Sequence, residues 1–150
     1  MKRKMIVLIA FIFLTITAGL IFYLIKKPEQ GQICFGNDCF AVEIASRAKD
    51  RQKGLMFRED LEKDKGMLFV FKKEGEYSFW MKNVLMPLDI IWLDKDKKVV
   101  HIAENCQPCP QPPCPSIKPG KKAKYVLEIN GGLALKKGIK EGDRAELQYD

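Results

Sequence analysis

The chain has 150 residues, about the length of one domain, so two large domains are excluded. Its residues are 47% hydrophobic, 10% aromatic and 30% charged, a globular composition that excludes disordered and collagen-like chains. The formal charge is +7, but the first thirty residues hold five basic residues and one acid, which leaves 21 basic and 18 acidic residues beyond them. Because that remainder is nearly balanced, we expect no nucleic-acid partner.

An uncharged apolar run over residues 5–25 is the first predicted element. As a helix it would span about 31 Å, which matches a hydrocarbon core of about 30 Å. Basic residues at positions 2–4 precede the run, and the positive-inside bias therefore keeps the amino terminus cytoplasmic. The run predicts an uncleaved, single-pass transmembrane anchor, with a cleaved signal peptide as the alternative.

The anchor divides the chain into four predicted parts. They are a cytoplasmic basic tip over residues 1–4, the anchor over 5–25, a tether over 26–32 and an exported globular domain over 33–150. A proline and a glycine within residues 26–32 are typical of a short connection. We therefore expect the membrane to be a partner through the amino-terminal helix, and the domain to be extracytoplasmic.

Five cysteines in a chain of this size favour an oxidising compartment, in agreement with export. Cys34 and Cys39 flank Gly36-Asn37-Asp38, and a tight hairpin there would bring the two cysteines opposite each other. We predict a Cys34–Cys39 disulfide, which fixes a turn more than it holds a core.

The other cysteines, Cys106, Cys109 and Cys114, lie in a segment whose five prolines exclude a regular helix and a central strand. We predict a Cys109–Cys114 disulfide, with Cys106 left over and able to form an intermolecular disulfide. A zinc or copper site with His101 as a fourth ligand is one alternative, and a redox dithiol is another. The main prediction includes no metal and no cofactor.

Short apolar runs separated by turn residues predict a mainly β, α+β domain, either a small barrel or a sandwich with two short helices. Ser46 is predicted to cap the first helix, which Gly54 ends, and Asn130 is predicted to cap the second. The predicted helices cover residues 47–53 and 131–137, and the longer predicted strands cover 66–71, 77–81, 88–93, 98–103, 124–129 and 144–149.

Five motifs follow one another in the predicted domain: Gly54-Leu-Met-Phe-Arg58, Gly66-Met-Leu-Phe-Val-Phe71, Ser78-Phe-Trp-Met-Lys-Asn83, Pro87-Leu-Asp-Ile-Ile91 and Val126-Leu-Glu-Ile-Asn130. Over roughly residues 42–147, the chain resembles the domain of unknown function 192 family. The resemblance implies a small, mainly β domain behind a signal or anchor, with no established activity. Cys109 and Cys114 look like the paired cysteines of that family's usual loop, whereas Cys34, Cys39 and Cys106 look like additions.

Trp80, Lys82, Asn83 and Asp89 are the candidate ligand-binding residues, because they combine a large aromatic with hydrogen-bond donors and acceptors. In a pocket, Trp80 would supply a flat apolar face, and the three polar side chains would bond hydroxyls or a carboxylate. The competing interpretation makes Trp80 a core residue, Lys82 and Asn83 a solvated turn, and Asp89 an acceptor of backbone amides.

No residue carries a catalytic signature. Asp89 and His101, the only histidine, are the candidates for acid or base chemistry, while neither Ser78 nor Ser116 lies in a serine-hydrolase motif. We expect a non-enzymatic module that binds a small polar ligand or an envelope partner near Trp80. An enzyme that uses Asp89 or His101 and a purely structural envelope domain are the alternatives.

Overall fold

The computed structural model describes residues 11, 13–15, 17 and 29–149. Residues 29–149 hold seven strands and two short helices, which confirms the prediction of a mainly β domain. The helices are α1 (Ala48–Lys53) and α2 (Leu133–Lys136). The strands are β1 (Glu29–Phe35), β2 (Asp38–Ala45), β3 (Lys65–Gly75), β4 (Leu88–Leu93), β5 (Val99–Cys106), β6 (Ala123–Asn130) and β7 (Glu146–Tyr149).

The strands form one open sheet in the order β5-β4-β6-β3-β2-β1-β7, which corrects the predicted barrel or sandwich. Strands β2 and β3 run parallel, and the other neighbouring pairs are antiparallel. The edge strands are β5 and β7, and a single isolated bridge from Lys98 to Arg144 links the segments that precede them. Strand β7 has four residues and its ladder is with β1, so among the described residues no ladder joins β7 to β5.

Both faces of the sheet are buried, which explains the continuous apolar runs in the sequence. All six residues of β4 are buried. Because side chains along a strand alternate between faces, Leu127 packs into one apolar cluster and Val126 into a second. The first cluster includes Ile33, Phe40, Val42, Leu68 and Ile91. The second, which underlies the candidate site, includes Phe69, Leu88, Ile90 and Trp92.

The segment between β3 and β4 covers the second cluster, but it is not the strand predicted over residues 77–81. It makes isolated bridges, from Phe79 to Ile117 and from Lys82 to Cys109. Its partners belong to the proline-rich loop and the residues just after it, and prolines lack the N–H groups that a continuous ladder needs. The prediction of a regular strand here was therefore wrong, although the segment does lie against the sheet.

Both predicted cysteine pairs lie at disulfide distance, which confirms that prediction. Cys34 and Cys39 face each other in the β1–β2 ladder, with their sulfur atoms 2.09 Å apart. The sulfur atoms of Cys109 and Cys114 are 2.12 Å apart. Cys106 is a free, partly buried cysteine, and burial raises the pKa of its thiol. A disulfide from Cys106 to another chain stays a prediction.

The two predicted helix caps were wrong. The residue that precedes α1 is Arg47, which makes no side-chain cap bond, and α2 follows Gly132. The side chain of Asn130 instead donates a hydrogen bond to the Leu61 carbonyl at 2.8 Å. Gly54 does end α1 as predicted, with a φ of 50° that favours glycine.

The predicted basic tip over residues 1–4 and most of the predicted anchor over 5–25 lie outside the described residues. In the part of the chain that the structure describes, no helix is long and apolar enough to cross a membrane. Residues 26–28 of the predicted tether are also outside it, whereas residues 29–32 form the beginning of β1. The anchor therefore stays a prediction.

Candidate functional site

The four predicted ligand-binding residues divide between the surface and the core. Trp80 is 48% exposed, and the Lys82 ammonium lies 5.5 Å from the centroid of its ring system. Asn83 occupies a turn with a φ of 57°, and its carbonyl accepts a hydrogen bond from the backbone of Phe57. Asp89 is fully buried. The structure thus brings Trp80 and Lys82 together beside two adjoining cavities. Trp80 lines both cavities and Lys82 lines the smaller one, whereas Asn83 and Asp89 line neither.

Asp89 holds backbone amides, as the competing interpretation proposed. Its Oδ1 accepts hydrogen bonds from the amides of Asn105 at 2.7 Å and Gly132 at 2.8 Å, and its Oδ2 accepts one from Ala134 at 2.7 Å. These bonds join the end of β5 to the beginning of α2. Three amide donors offset the cost of burying a carboxylate, so Asp89 stabilises the fold at this point.

A surface cleft of about 490 Å³ lies beside Trp80, and we call it the Trp80 cleft. Its aromatic side chains come from β3 and from the segment that follows, and its polar groups come from α1, from that segment and from the end of the proline-rich loop. Aromatic walls with a few polar groups are typical of small-molecule sites. The lining residues are Phe69, Phe71, Tyr77, Phe79 and Trp80, together with Arg51, Gln52, Glu76, Ser78 and Ser116.

Ring contacts fix the shape of the Trp80 cleft. The rings of Phe71 and Tyr77 stack with their centroids 3.5 Å apart, and Phe79 meets Phe69 edge-on at 4.8 Å. The Arg51 guanidinium lies 5.1 Å from the centroid of Phe71 and donates hydrogen bonds to the backbone carbonyls of Ser46 and Val70. Such contacts each stabilise by about 1 kcal/mol, so the aromatic wall is preorganised.

A narrow side pocket of about 30 Å³ adjoins the Trp80 cleft, and we call it the Glu128 pocket. The two cavities share the lining residues Arg51, Gln52, Phe69, Phe79 and Trp80. Glu128 projects from the central strand β6 on the same face as Val126 and is only 4% exposed. Its Oε2 is buried without a hydrogen-bond partner. A buried polar atom without a partner is rare in folded proteins and marks this pocket as a candidate site.

Burial raises the pKa of the Glu128 carboxyl to about 8, and the charge of Arg58 opposes that shift. The acid is therefore mostly neutral near pH 7. Arg58 does not neutralise it, because the guanidinium forms a two-pronged ion pair with Glu43 at 2.5 and 2.7 Å. That hydrogen-bonded pair lowers the pKa of the Glu43 carboxyl.

Glu128 was not among the residues predicted from the sequence to form the site, although a signal was present. In the apolar run of β6, Glu128 is the single acid among five consecutive buried residues. A charge at a strand position that faces a core is costly unless it is paired. The covering residues, Gly54, Met56 and Val84, come from distant parts of the chain, and no local pattern shows that they meet over Glu128.

Positive charge dominates around the Glu128 pocket. Arg51, Lys53 and Lys82 line it, and in the described part of the chain none of the three lies within ion-pair distance of a carboxylate. The acid on the rim of the adjoining cleft is Glu76. The combined site therefore carries a net positive charge whether or not Glu128 is ionised, which favours an anionic ligand.

His101 lies away from both cavities. Its Nδ1 is 3.2 Å from Glu141, whose other oxygen accepts a hydrogen bond from Lys121 at 3.1 Å. The bonds from Lys121 and then His101 lower the pKa of the Glu141 carboxyl. Neither of the predicted acid-base candidates, Asp89 and His101, lines the Trp80 cleft or the Glu128 pocket.

The alternative metal site in the proline-rich loop needs three free thiolates. Cys109 and Cys114 are instead within bonding distance of each other, and Cys106 stands alone. Among residues 29–149 and the few described before them, no three side chains of the metal-binding types cluster closely enough to hold an ion.

The solved structures that are similar to this chain include the following two. The crystal structure of a "putative transcription regulator" from Sinorhizobium meliloti 1021 is 32% identical with a TM-score of 0.71, and the match covers 79% of this chain and 92% of that chain. A protein of unknown function from Novosphingobium aromaticivorans DSM 12444 is 37% identical with a TM-score of 0.70, covering 78% and 83%. No curated protein matches the chain.

One family model matches residues 32–147, the model of domain of unknown function 192, described as "Uncharacterized ACR". The matched residues include the Trp80 cleft, the Glu128 pocket and both cysteine pairs. The match confirms the resemblance seen in the sequence motifs. The chain therefore belongs to the domain of unknown function 192 family, an uncharacterised family.

Proposed function

We propose that this protein is a membrane-anchored, extracytoplasmic module that binds a small polar ligand in the Trp80 cleft. The observation that carries the proposal is the half-exposed Trp80 ring on a preorganised aromatic wall, within a cleft of about 490 Å³. Exposed aromatic faces with polar neighbours bind ligands that have both apolar and hydroxylated surfaces. An envelope protein that covers the same cleft is the other occupant we consider.

The proposed location has two supports. The uncharged run over residues 5–25 has the length of a membrane-spanning helix and follows basic residues. Two cysteine pairs at disulfide distance suit an oxidising compartment. Together they favour a domain held on the outer side of the membrane that its anchor crosses.

The enzymatic alternative receives no support from the placement of its candidates. Asp89 is bonded to three backbone amides in the core, and His101 is paired with Glu141 on a different surface. A general acid or base must reach the reacting group by a hydrogen bond. We therefore favour binding as the role of the cleft.

A thermal-shift screen of the full-length protein in detergent tests the proposal. The probes are neutral sugars, sugar acids and amino acids, because ligand binding raises the apparent melting temperature. We expect at least one class to raise the melting temperature of the wild type and of Leu135→Ala, which truncates an exposed side chain on α2 outside the cleft. If no class produces a shift, the proposal of a small polar ligand is wrong.

A further inference from the structure

Glu128 lines the Glu128 pocket, and Gly54, which also lines it, has no side chain to fill the space beside the carboxyl. A Cβ atom placed on Gly54 would lie 4.0 Å from the unpartnered Oε2 of Glu128. The pocket volume of about 30 Å³ holds roughly one water-sized group. One oxygen atom of a slim, planar group fits this space, and the rest of that ligand would extend into the adjoining Trp80 cleft.

The charged and titratable groups around Glu128 come from several elements. Arg51 and Lys53 belong to α1, Arg58 follows it, and Lys82 belongs to the segment before β4. Two further groups are near. The thiol of Cys106 on β5 has a pKa that is raised by burial and, to a smaller extent, by the charges of Asp89 and Glu128, and Glu43 on β2 is paired with Arg58. The side chains of Met67 and Phe69 on β3 are apolar.

The positive charges that line the Glu128 pocket favour an anionic ligand. A cationic group would have to pass Arg51, Lys53 and Lys82 to reach the pocket, whereas an anionic group would be attracted by all three. A neutral carboxylic acid can donate its O–H to an anion, and such charge-assisted bonds are about twice as strong as neutral ones. Oε2 has no other hydrogen-bond partner in the described protein.

We propose that the Glu128 pocket receives the carboxylate end of the ligand, with protonated Glu128 donating a hydrogen bond to it. This inference rests on the proposed function and deepens it, because it names the ligand class as a small hydroxylated carboxylate whose body lies against Trp80. Lys82 and Arg51 supply the opposite charge at the pocket mouth. No bond is formed or broken beyond hydrogen bonds, and the proton stays shared between the two carboxyl groups.

Binding by a protonated acid makes affinity depend on pH in one direction. The pKa of the free Glu128 carboxyl is about 8. Affinity should therefore be nearly constant from about pH 6, where the carboxylate ligand is ionised, up to that value, and fall about tenfold for each pH unit above it. A ligand that placed an ammonium group on ionised Glu128 would show the reverse, because its affinity would weaken below pH 8.

The test follows the Glu128 carboxyl directly by carbon NMR in the full-length, detergent-solubilised protein. Acetate, D-glucuronate, methyl glucoside and methylammonium are the probes. We expect acetate and D-glucuronate to raise the pKa of Glu128, while methyl glucoside and methylammonium leave it unchanged. If both carboxylates leave the pKa unchanged, or if methylammonium lowers it, the proposal is wrong.

Variants distinguish the proposed carboxylate site at Glu128 from the proposed binding of a polar ligand in the Trp80 cleft. In Glu128→Gln the amide can still donate, so we expect D-glucuronate binding to persist and to lose its pH dependence, whereas Glu128→Leu should weaken it at least tenfold. Lys82→Met should weaken D-glucuronate binding more than methyl glucoside binding, and Lys98→Met, away from both cavities, should weaken neither. If both sugars bind equally in every variant but Trp80→Ala abolishes binding, the carboxylate proposal fails while the proposed function stands. If no probe responds to Trp80→Ala, both fail.

Discussion

Glu128 contributes a free energy that changes with pH, because its pKa differs between the unfolded chain and the folded domain. The ordinary pKa of this carboxyl is 4.5, and burial raises it to about 8. Between pH 4.5 and about pH 8, ionisation of this carboxyl lowers the free energy of the unfolded chain but not that of the folded domain. The favourable contribution of Glu128 is therefore complete below about pH 4.5 and is lost as the pH rises to about 8.

We predict that Glu128→Gln raises the free energy of unfolding by about 2 to 5 kcal/mol near pH 8, because glutamine has no ionised form to disfavour in the core. Near pH 4 the difference should almost disappear. Urea denaturation at both pH values measures it, with the exposed Glu104→Gln as the control. Equal effects of Glu128→Gln at the two pH values would contradict the assignment of a raised pKa.

The structural role of Asp89 can be tested by removing its carboxylate. Asp89→Ala leaves the amides of Asn105, Gly132 and Ala134 without their acceptor, and each unsatisfied buried group costs about 1 to 3 kcal/mol. We predict a loss of at least about 3 kcal/mol in urea denaturation, with Asp96→Ala, which truncates an exposed acid, as the control. A loss below about 1 kcal/mol would show that Asp89 does not hold α2 in place.

The residues of the candidate site were only partly predictable. Trp80 and Lys82 could be paired from the sequence because they are near neighbours on one extended segment. Asp89 was assigned to the same site because it is close in sequence, yet β4 is buried on both faces and takes Asp89 into the core. Glu128 was missed because the other residues that line its pocket are all more than forty positions away in the sequence.

The two cysteine pairs can be compared directly, because they close loops of the same length at different places in the fold. Each closes a loop with a sequence separation of five, so the chain-entropy estimate gives each about 2 kcal/mol. The Cys109–Cys114 pair also shapes the loop that holds the segment between β3 and β4. The amide of Cys109 donates a hydrogen bond to the Met81 carbonyl, and the Cys109 carbonyl accepts one from the amide of Asn83. The other pair closes the β1–β2 turn, outside both cavities.

We predict that the double variants Cys34→Ser/Cys39→Ser and Cys109→Ser/Cys114→Ser lose similar free energies of unfolding, but that only the second weakens ligand binding in the Trp80 cleft. Urea denaturation and calorimetric titration of both variants measure the two effects. If the Cys34→Ser/Cys39→Ser variant weakens binding as much as the other, the proline-rich loop does not position the cleft.

Sequence patterns were sufficient to predict some strands and insufficient to predict others. The strands over 88–93 and 124–129 were predicted closely because their apolar runs are continuous and bounded by turn residues. The segment over 77–81 has the alternation of a strand, but its hydrogen-bonding partners lie in and just after a loop rich in proline. A pattern of side chains predicts burial, and it does not supply the partner strand.

The order of the strands in the sheet of the whole domain could not be predicted from the sequence. A mainly β domain followed from the number of short runs, whereas the placement of β6 between β3 and β4 depends on long-range pairing. The parallel pairing of β2 with β3 needs a crossover, which α1 and the residues after it provide. Closure into a barrel would need a ladder between the edge strands β5 and β7, and no local pattern predicts which edges pair.

We predict that the full-length protein remains with membranes after carbonate extraction, because an apolar helix over residues 5–25 has no favourable aqueous state. Protease added from outside should cut the domain in cells whose outer layers are opened. A soluble product that begins between residues 18 and 32 would instead establish a cleaved signal peptide.

The central claim is that Trp80 serves a ligand and not the core, and one measurement tests it most directly. The melting temperature and the ligand-induced shift are recorded together for Trp80→Ala, with D-glucuronate as the probe. We predict a melting temperature close to that of the wild type, since Trp80 is 48% exposed, and loss of the shift, since truncating a contacting aromatic commonly costs about 2 kcal/mol, roughly thirtyfold in affinity. The fully buried Trp92→Ala provides the contrast, with an expected loss of about 3 to 5 kcal/mol in stability. A Trp80→Ala protein that unfolds like Trp92→Ala, or that keeps the wild-type ligand shift, would contradict the claim.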